Sequence, residues 1–373
     1  NDKASNLTYV VRDRLGIKPL YYYKNNDAFI FSSEIKSILK LQKNIKQKLN
    51  INAISSYLSF RYPILNDTFF KDINSLAPAH YIKISSSNVE FVEYWNIVDS
   101  FKEQKNDKGE EYYISELRKI LKSSVEYRMI SDVPIGSFLS GGVDSSIITA
   151  IMSENSQKPI KTFTIGFEDD GFNEFEYANI IANQFETSHK EVVLSSKNYI
   201  DTMEKLIYYK DAPLSVPNEV PLYLMSKELK KSITVVLSGE GADEIFGGYG
   251  RIFRSPYDYE RIKNIDNLNL SRKEKEEWCK EFIKKYIKCS FNTEIEHFMN
   301  IYSYTSFNDK QELLNKDIDL YEIEKMFLNK FLYYFEELSD ESYYNKLMYT
   351  FEKIHIVGLL HRVDTATMAS SVE

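Results

Sequence analysis

The chain has 373 residues, enough for about two domains of ordinary size, and its 43% hydrophobic content can fill sizeable cores. The net charge of −8 argues against a nucleic-acid partner and against an anionic membrane surface as a partner. The cysteines, Cys279 and Cys289, form no metal-binding pattern, and with no signal peptide and no long apolar run we expect a cytoplasmic protein.

Residues 1 to about 95 are rich in strand-like runs, which short helical patterns interrupt. Asn50 or Asn52 is the predicted start of the second helix. The predicted elements are strands over 7–11, 28–31, 80–84 and 89–94 and helices over 33–39 and 51–60. A polar stretch containing a glycine follows, and it predicts a linker over 96–111.

The next part of the chain alternates between apolar runs and helical patterns. Such alternation predicts βαβ units and a doubly wound parallel sheet, which binds ligands at the carboxyl ends of its strands. Helical spacing throughout 251–373 predicts a helical extension. The predicted elements are strands over 132–136, 161–167, 189–194 and 233–237 and helices over 113–129, 173–185 (capped by Asn173), 195–209 and 219–230, with another helix from 147.

A turn rich in glycine and serine follows the strand predicted at 132–136. Two glycines let a ligand approach the backbone, and the N–H groups and dipole of the following helix favour an anion. Asp144 would repel a phosphate unless it holds Mg²⁺, which bridges to phosphate oxygens. A glycine turn with a serine cap and an acidic first helical turn is the alternative interpretation. The turn reads Ser140, Gly141, Gly142, Val143, Asp144, Ser145, Ser146.

A second glycine-rich segment follows the strand predicted at 233–237. Its carboxylates, Glu240, Asp243 and Glu244, would repel one another unless a cation or a helix N-terminus balances them. An acidic start of a helix is the alternative interpretation. The segment reads Ser238, Gly239, Glu240, Gly241, Ala242, Asp243, Glu244, Ile245, Phe246, Gly247, Gly248, Tyr249.

The first turn resembles the pyrophosphate-binding loop of ATP pyrophosphatases that adenylate a substrate. Together with the second segment, it resembles the glutamine-hydrolysing asparagine synthetases. Residues 12–22, 31–36 and 68–80 resemble the late part of that family's glutaminase domain. Residues 211–213, 217–218 and 221–226 resemble the family's substrate-side segment, although a proline-rich loop that caps a helix is an equal alternative.

The resemblance implies an α/β fold class. Residues 1–95 would be the late part of an Ntn-type αββα glutaminase domain without its nucleophile. Residues 112–373 would form an ATP-pyrophosphatase domain, with an adenine nucleotide alpha hydrolase-like sheet and a helical subdomain from about 251.

The resemblance also implies roles for the matching residues. Leu139 and Ile165 would line the adenine pocket, and Ser238 and Gly239 would contact the ribose and the α-phosphate. Glu240 would take a polar or acid–base role at the acyl-adenylate. Asp144 and Asp243 would hold Mg²⁺. The pyrophosphate would contact Ser140, Gly141, Gly142, Ser145 and Ser146.

The implied activity is that of a ligase that amidates aspartate with ATP and Mg²⁺ through β-aspartyl-AMP, with nitrogen from glutamine or ammonia. A homodimer is a candidate assembly. One alternative is an amidotransferase for another acid, such as a sugar acid of a surface polysaccharide or a precursor of a lactam or peptide ring. The other is a nucleotide-binding protein without catalysis.

Both ends of the family's active site are expected outside this sequence. The family's nucleophile is an N-terminal cysteine, whereas residue 1 is Asn1 and no cysteine precedes Cys279. We therefore expect either a fragment, which the start within a strand favours, or a protein that has lost the front of its glutaminase domain. In both cases this chain is not expected to hydrolyse glutamine. Residues 361–373 resemble the segment before the family's Arg-x-Pro-Phe-Leu-Asp run, so the lysine that stabilises the adenylation transition state is expected beyond Glu373.

Overall fold

A computed structural model describes residues 1–41, 48–86, 88–103, 106–168 and 173–373. It divides into two compact units, the first formed by Asn1–Val98 with Asp243–Leu359 and the second by Asp99–Ala242 with Leu360–Glu373. The domain limits predicted from the sequence, 1–95, 96–111 and 112–373, stay a prediction. Residues 104 and 105 of the predicted linker lie outside the described residues.

The first unit begins with two antiparallel sheets of three strands each, in the orders β1-β5-β6 and β3-β2-β4. Val10, Leu76 and Ile82 form a buried cluster with side chains from both sheets, while Ile35 and Ile38 pack a helix against Tyr21. The strands are β1 (Thr8–Val11), β2 (Tyr21–Lys24), β3 (Phe29–Ser32), β4 (Ile73–Ser75), β5 (His80–Ile84) and β6 (Val89–Glu93).

Helices complete the first unit, where the regular elements described after residue 250 are helical, as their spacing predicts. Tyr302, Phe331 and Phe60 form part of an aromatic core that joins the early and late parts of the chain in this unit. The helices are α1 (Ile35–Leu41), α2 (Ile51–Phe60), α10 (Gly250–Phe253), α11 (Ser255–Lys263), α12 (Arg272–Tyr286), α13 (Glu294–Tyr302), α14 (Phe307–Leu313), α15 (Leu320–Glu337) and α16 (Tyr343–Thr350), followed by a π-helical turn (Phe351–His355).

The second unit contains a four-stranded parallel sheet in the order β10-β7-β8-β9, which confirms the predicted parallel sheet. Its elements are α4 (Glu110–Met129), β7 (Ile135–Phe138), α5 (Val143–Glu154), β8 (Lys161–Phe167), α6 (Phe175–Gln184), β9 (Ser188–Leu194), α7 (Ser196–Lys210), α8 (Glu219–Leu229) and β10 (Val235–Leu237). Three helices contain the boundaries between units: α3 (Ile97–Glu103), α9 (Ala242–Phe246) and α17 (Ile356–Met368).

Helices cover both faces of the parallel sheet because its strands are apolar on both sides. Val125 of α4 and Met152 of α5 pack in one cluster with Leu237 of β10. Met225 of α8 packs in another cluster with Phe163 of β8. This arrangement agrees with the predicted doubly wound sheet.

Three sequence predictions near this sheet are wrong. The strand predicted at 132–136 is β7, which starts at Ile135, because Pro134 has no N–H for a strand ladder. The helix predicted from 147 starts at Val143, with Gly142 as its N-cap residue. Asn173 does not cap α6, since its side chain bonds the backbone N–H and C=O of Phe167 instead.

The described helices all lack the combination of length and apolar character that a membrane-spanning helix requires.

Candidate functional site

The two glycine-rich loops follow neighbouring strands of the parallel sheet. The chain enters the sheet at β7, continues through β8 and β9 on one side, and returns to β10 on the other side of β7. This reversal is a topological switch point, where the loops at the carboxyl ends of the strands leave a crevice for a ligand. Residues 139–142 follow β7, and residues 238–241 follow β10.

The loop after β7 is held by its own serines. The Ser140 and Ser145 hydroxyl oxygens lie 3.0 Å apart, and the Ser140 N–H donates to Ser145 Oγ at 3.2 Å. The Gly142 N–H donates to Ser140 Oγ at 3.2 Å. Gly141 has a φ of +83°, and a Cβ there would lie 2.5 Å from the Cβ of Tyr177, so the position requires glycine.

The loop leads directly into α5, whose first turn contains Asp144, Ser145 and Ser146. The first N–H groups of a helix have no partner within it and carry the positive end of the dipole. Within the described structure, Ser146 Oγ is buried and has no hydrogen-bond partner. A buried hydroxyl without a partner is a potential contact for a ligand's oxygen atoms.

The structure brings the second loop against the first helical turn. A Cβ at Gly239 would lie 2.7 Å from the Cβ of Asp144 and 3.1 Å from the backbone nitrogen of Ser145. Only glycine fits between the two segments without a shift. Two motifs that are far apart in the sequence therefore meet at the switch point.

We expect Gly239→Ala to lower the free energy of unfolding by about 1–3 kcal/mol, because the methyl group would overlap a helix that cannot move freely. Urea unfolding measures the effect. Gly250→Ala is the matched control, since a Cβ at Gly250 meets nothing within 4 Å. Equal unfolding free energies of the two variants would contradict the close contact.

The predicted adenine-pocket residues lie beside this loop. Leu139 is buried and packs on Ala178 and Ala182 of α6. Its carbonyl oxygen accepts a hydrogen bond from the Thr164 hydroxyl. Ile165 packs against the cluster that contains Phe163 and Met225. Leu139 thus contributes to the core between the loop and α6. The adenine contacts of Leu139 and Ile165 stay a prediction.

The remaining predicted residues belong to the second segment. Ser238 is half-buried and Glu240 is exposed, and both belong to the second unit. Asp243 belongs to the first unit, where its carbonyl accepts the Gly248 N–H at 2.9 Å. The pairing of Asp144 with Asp243 at one metal ion therefore stays a prediction. In the chain segments that the structure describes, no three His, Cys, Asp or Glu side chains form a metal-binding group.

A group of interacting side chains around the buried Glu244 extends the second segment in the first unit, and it was not predicted from the sequence. The Tyr249 hydroxyl donates to Glu244 Oε1 at 2.6 Å, and His355 Nε2 lies 3.7 Å from the same oxygen. His355 Nδ1 lies 3.2 Å from the Tyr302 hydroxyl. The position of Glu244 and Tyr249 within one motif was a signal for their contact, whereas nothing in the sequence pointed to His355.

His189 lies in β9 of the parallel sheet, opposite Thr162 of β8. Its ring nitrogens lie 2.9 Å from the Thr162 hydroxyl and 3.4 Å from the Thr164 hydroxyl. Burial lowers the pKa of His189, which favours the neutral ring. These contacts support a packing role for this histidine.

The fold and the loops define the class of the protein: an α/β protein whose parallel sheet carries glycine-rich loops at its switch point. A model of the asparagine synthase family matches residues 116–373, and one of the glutamine amidotransferase domain matches residues 1–95. The chain belongs to the asparagine synthase family.

Curated relatives agree with this assignment. The chain is 37% identical over 265 residues to asparagine synthetase [glutamine-hydrolyzing] 1 of Bacillus subtilis, covering 71% of this chain and 41% of the relative. It is 34% identical over 252 residues to putative asparagine synthetase [glutamine-hydrolyzing] 2 of Methanocaldococcus jannaschii, covering 66% and 48%. Asparagine synthetase B [glutamine-hydrolyzing] of Escherichia coli is 29% identical over 272 residues, covering 68% and 43%. The matches span less than half the length of each of these relatives.

Proposed function

We propose that the second unit binds ATP and activates the side-chain carboxylate of aspartate for amidation to asparagine. The observation that carries the proposal is the contact of Gly239 with Asp144 at the switch point of a parallel sheet, in a chain of the asparagine synthase family. We also propose that this sheet has the adenine nucleotide alpha hydrolase-like fold. Its strand order and its helices on both faces support that assignment.

The loop after β7 is the proposed pyrophosphate site. Phosphate oxygens would accept hydrogen bonds from the N–H groups at the start of α5 and from the hydroxyls of Ser140, Ser145 and Ser146. The absence of a side chain at Gly142 leaves the backbone accessible to phosphate, whereas the space beside Gly141 is filled by Tyr177. Ser146 Oγ supports this role because it is buried without a partner within the described structure.

Asp144 and Asp243 would hold the Mg²⁺ ion. Carboxylate oxygens suit Mg²⁺, which usually keeps several water ligands and contacts one or two carboxylates together with phosphates. The exposed position of Asp144 in the first turn of α5 is compatible with this donor set. When bound, the ion would neutralise negative charge on the phosphate oxygens.

The proposed reaction has two steps. An oxygen of the aspartate side-chain carboxylate attacks the α-phosphorus of ATP, and the bond to the β-phosphate bridging oxygen breaks, which gives β-aspartyl-AMP and pyrophosphate. Ammonia then attacks the acyl carbon, loses a proton and displaces AMP, which gives asparagine. Adenylation helps because AMP is a far better leaving group than an oxide ion. The residues of the loops position the phosphates, and Glu240 would act near the acyl group.

Nitrogen would come from glutamine in the full-length protein. The match of residues 1–95 to the glutamine amidotransferase domain supports this source. A homodimer is the proposed assembly. Size-exclusion chromatography with light scattering tests the assembly independently of activity.

Pyrophosphate release by the full-length protein with ATP, ammonia and a panel of acids tests the acceptor. We expect aspartate to stimulate release at least tenfold, and glutamate and galacturonate to leave it at background. Stronger stimulation by another acid would assign the protein to an amidotransferase for that acid. If the protein bound ATP but released no pyrophosphate with any acid, it would be a non-catalytic nucleotide-binding protein.

A further inference from the structure

A cavity of about 270 Å³ lies within the first unit, among the loop before β2, the segment after β6, helix α15 and the π-helical turn. At about 30 Å³ per water molecule of liquid volume, it has room for a small organic molecule. The proposed ATP chemistry does not use this cavity. Its charged or titratable lining residues include Arg14, His80, Glu93, Lys330, Glu352 and Lys353.

The cations of the cavity have partners in its wall. Lys353 Nζ lies 3.4 Å from Glu93 Oε1 and 3.4 Å from Asn96 Oδ1. The Arg14 guanidinium carbon lies 5.5 Å from the centre of the Trp95 ring. Lys330 Nζ lies 4.9 Å from the centre of the Tyr334 ring, and burial lowers the pKa of this lysine despite the opposing effects of Glu337 and Glu93. Each of these three cations therefore already interacts with a group of the protein.

Glu352 is the exception among the charged groups of the wall. Its Oε2 atom is buried and accepts no hydrogen bond within the described part of the chain. Burial raises the pKa of its carboxyl group to about 7. A buried carboxylate without a donor is costly, so a ligand that donates hydrogen bonds and carries positive charge would relieve that cost.

The backbone at Glu352 is also unusual. Phe351–His355 forms a π-helical turn between two α-helices. Such turns are rare in proteins, and those that occur often lie at functional sites. The turn contributes Glu352, Lys353 and Ile354 to the cavity wall.

We propose that this cavity binds a small primary ammonium compound, with its N–H groups donating to Glu352 and its apolar body against the aromatic wall. Trp95, Tyr62, Tyr333 and Tyr334 supply that wall, and aromatic faces attract cations and cover apolar chains. A metal ion does not fit as well, because no metal-binding group of three ligands occurs in the described segments. The binding site is independent of the proposed ATP reaction.

Tryptophan fluorescence reports binding directly because the chain has two tryptophans, Trp95 and Trp278. Trp278→Phe leaves Trp95 in the cavity wall as the one remaining indole. The probe is n-butylammonium chloride, with butan-1-ol as its uncharged equivalent and tetramethylammonium as a cation without N–H groups. We expect n-butylammonium to change the fluorescence of Trp95 in a saturable way. The other two compounds are expected to bind at least tenfold more weakly.

The pH dependence tests whether the group that binds the probe ionises near pH 7. With a pKa of about 7, Glu352 changes from about one-tenth ionised at pH 6 to about nine-tenths ionised at pH 8, while the probe stays charged. Binding to the ionised form is therefore expected to be about tenfold tighter at pH 8. His80 and Lys330 also line the cavity, so the attribution to Glu352 needs a variant.

Glu352→Gln, made in the Trp278→Phe background, is expected to weaken binding at least tenfold and to remove the pH dependence. Glu336→Gln is the matched control on α15, because Glu336 is exposed and does not line the cavity. The proposal is overturned if n-butylammonium does not saturate, if butan-1-ol binds equally well, or if a folded Glu352→Gln variant binds as tightly as its parent. If that variant does not fold, equal binding of n-butylammonium at pH 6 and pH 8 by the parent would also overturn the proposal.

Discussion

Asp144→Asn is expected to lower the rate of aspartate-dependent ATP–pyrophosphate exchange by about 10²- to 10³-fold, the usual cost of removing one group that stabilises developing charge. The amide keeps the size of the side chain but removes the negative charge that would hold Mg²⁺. Asp144 is exposed in the first turn of α5, so the free energy of unfolding should change by about 1 kcal/mol or less. Exchange of labelled pyrophosphate into ATP by the full-length protein measures the first effect, and urea unfolding measures the second.

The Mg²⁺ dependence separates a metal-binding role from a general disturbance of the loop. We expect the Mg²⁺ concentration for half-maximal exchange to rise at least tenfold in Asp144→Asn. Asp201→Asn is the control, because Asp201 is also an exposed helical aspartate of the second unit but lies in α7. If Asp144→Asn catalysed exchange at a rate within threefold of the unsubstituted protein, Asp144 would be ruled out as the metal ligand.

The sequence predicted elements best where local chemistry sets their limits. Helix α2 was predicted at its observed limits, and one of its two candidate start residues, Asn50, accepts the backbone N–H of Asn52. Strand β2 (Tyr21–Lys24) was missed because its three consecutive tyrosines show no alternation. Pairing with β3 and β4 on its two sides defines it as a strand. Such tertiary pairing leaves no local pattern in the sequence.

In the candidate site, too, features set by the local sequence were predicted, whereas those set by tertiary contacts were not. Gly141 and Gly239 were predicted from the motifs, since close backbone approach demands glycine, and the structure adds the neighbour that each one contacts. The close approach of Gly239 to Asp144 depends on the order of strands in the sheet, which was not predicted from the sequence. Glu352 could not be distinguished from a surface glutamate, because its burial comes from segments distant in the chain.

A second large effect is expected in the second unit at Lys210, whose removal should lower the free energy of unfolding by about 3–5 kcal/mol. Lys210 and Glu219 are 6% and 1% exposed, and Lys210 Nζ lies 2.8 and 3.0 Å from the two oxygens of Glu219. Burial lowers the pKa of Lys210, although Glu219 opposes this effect. Lys210→Met would leave the Glu219 carboxylate buried without its countercharge. Urea unfolding measures the loss.

Two further variants test whether burial is the cause. Lys190 and Glu228 form an exposed ion pair, with Lys190 Nζ 2.5 Å from Glu228 Oε1. Lys190→Met removes this pair and should lower the free energy of unfolding by about 1 kcal/mol at most. Lys210→Met with Glu219→Gln should recover at least half of the loss, because the amide oxygen can still accept the Ser215 N–H while the buried charge is gone. A single Lys210→Met variant as stable as Lys190→Met, or no recovery in the double variant, would contradict a buried ion pair. Lys210 and Glu219 flank the loop 211–218, which contains residues 211–213 and 217–218 of the predicted substrate-side segment. Both side chains also hydrogen-bond to Ser215 within this loop, so the pair would hold the loop in one conformation. The double variant separates the effect of a buried unpaired charge from the effect of losing these contacts.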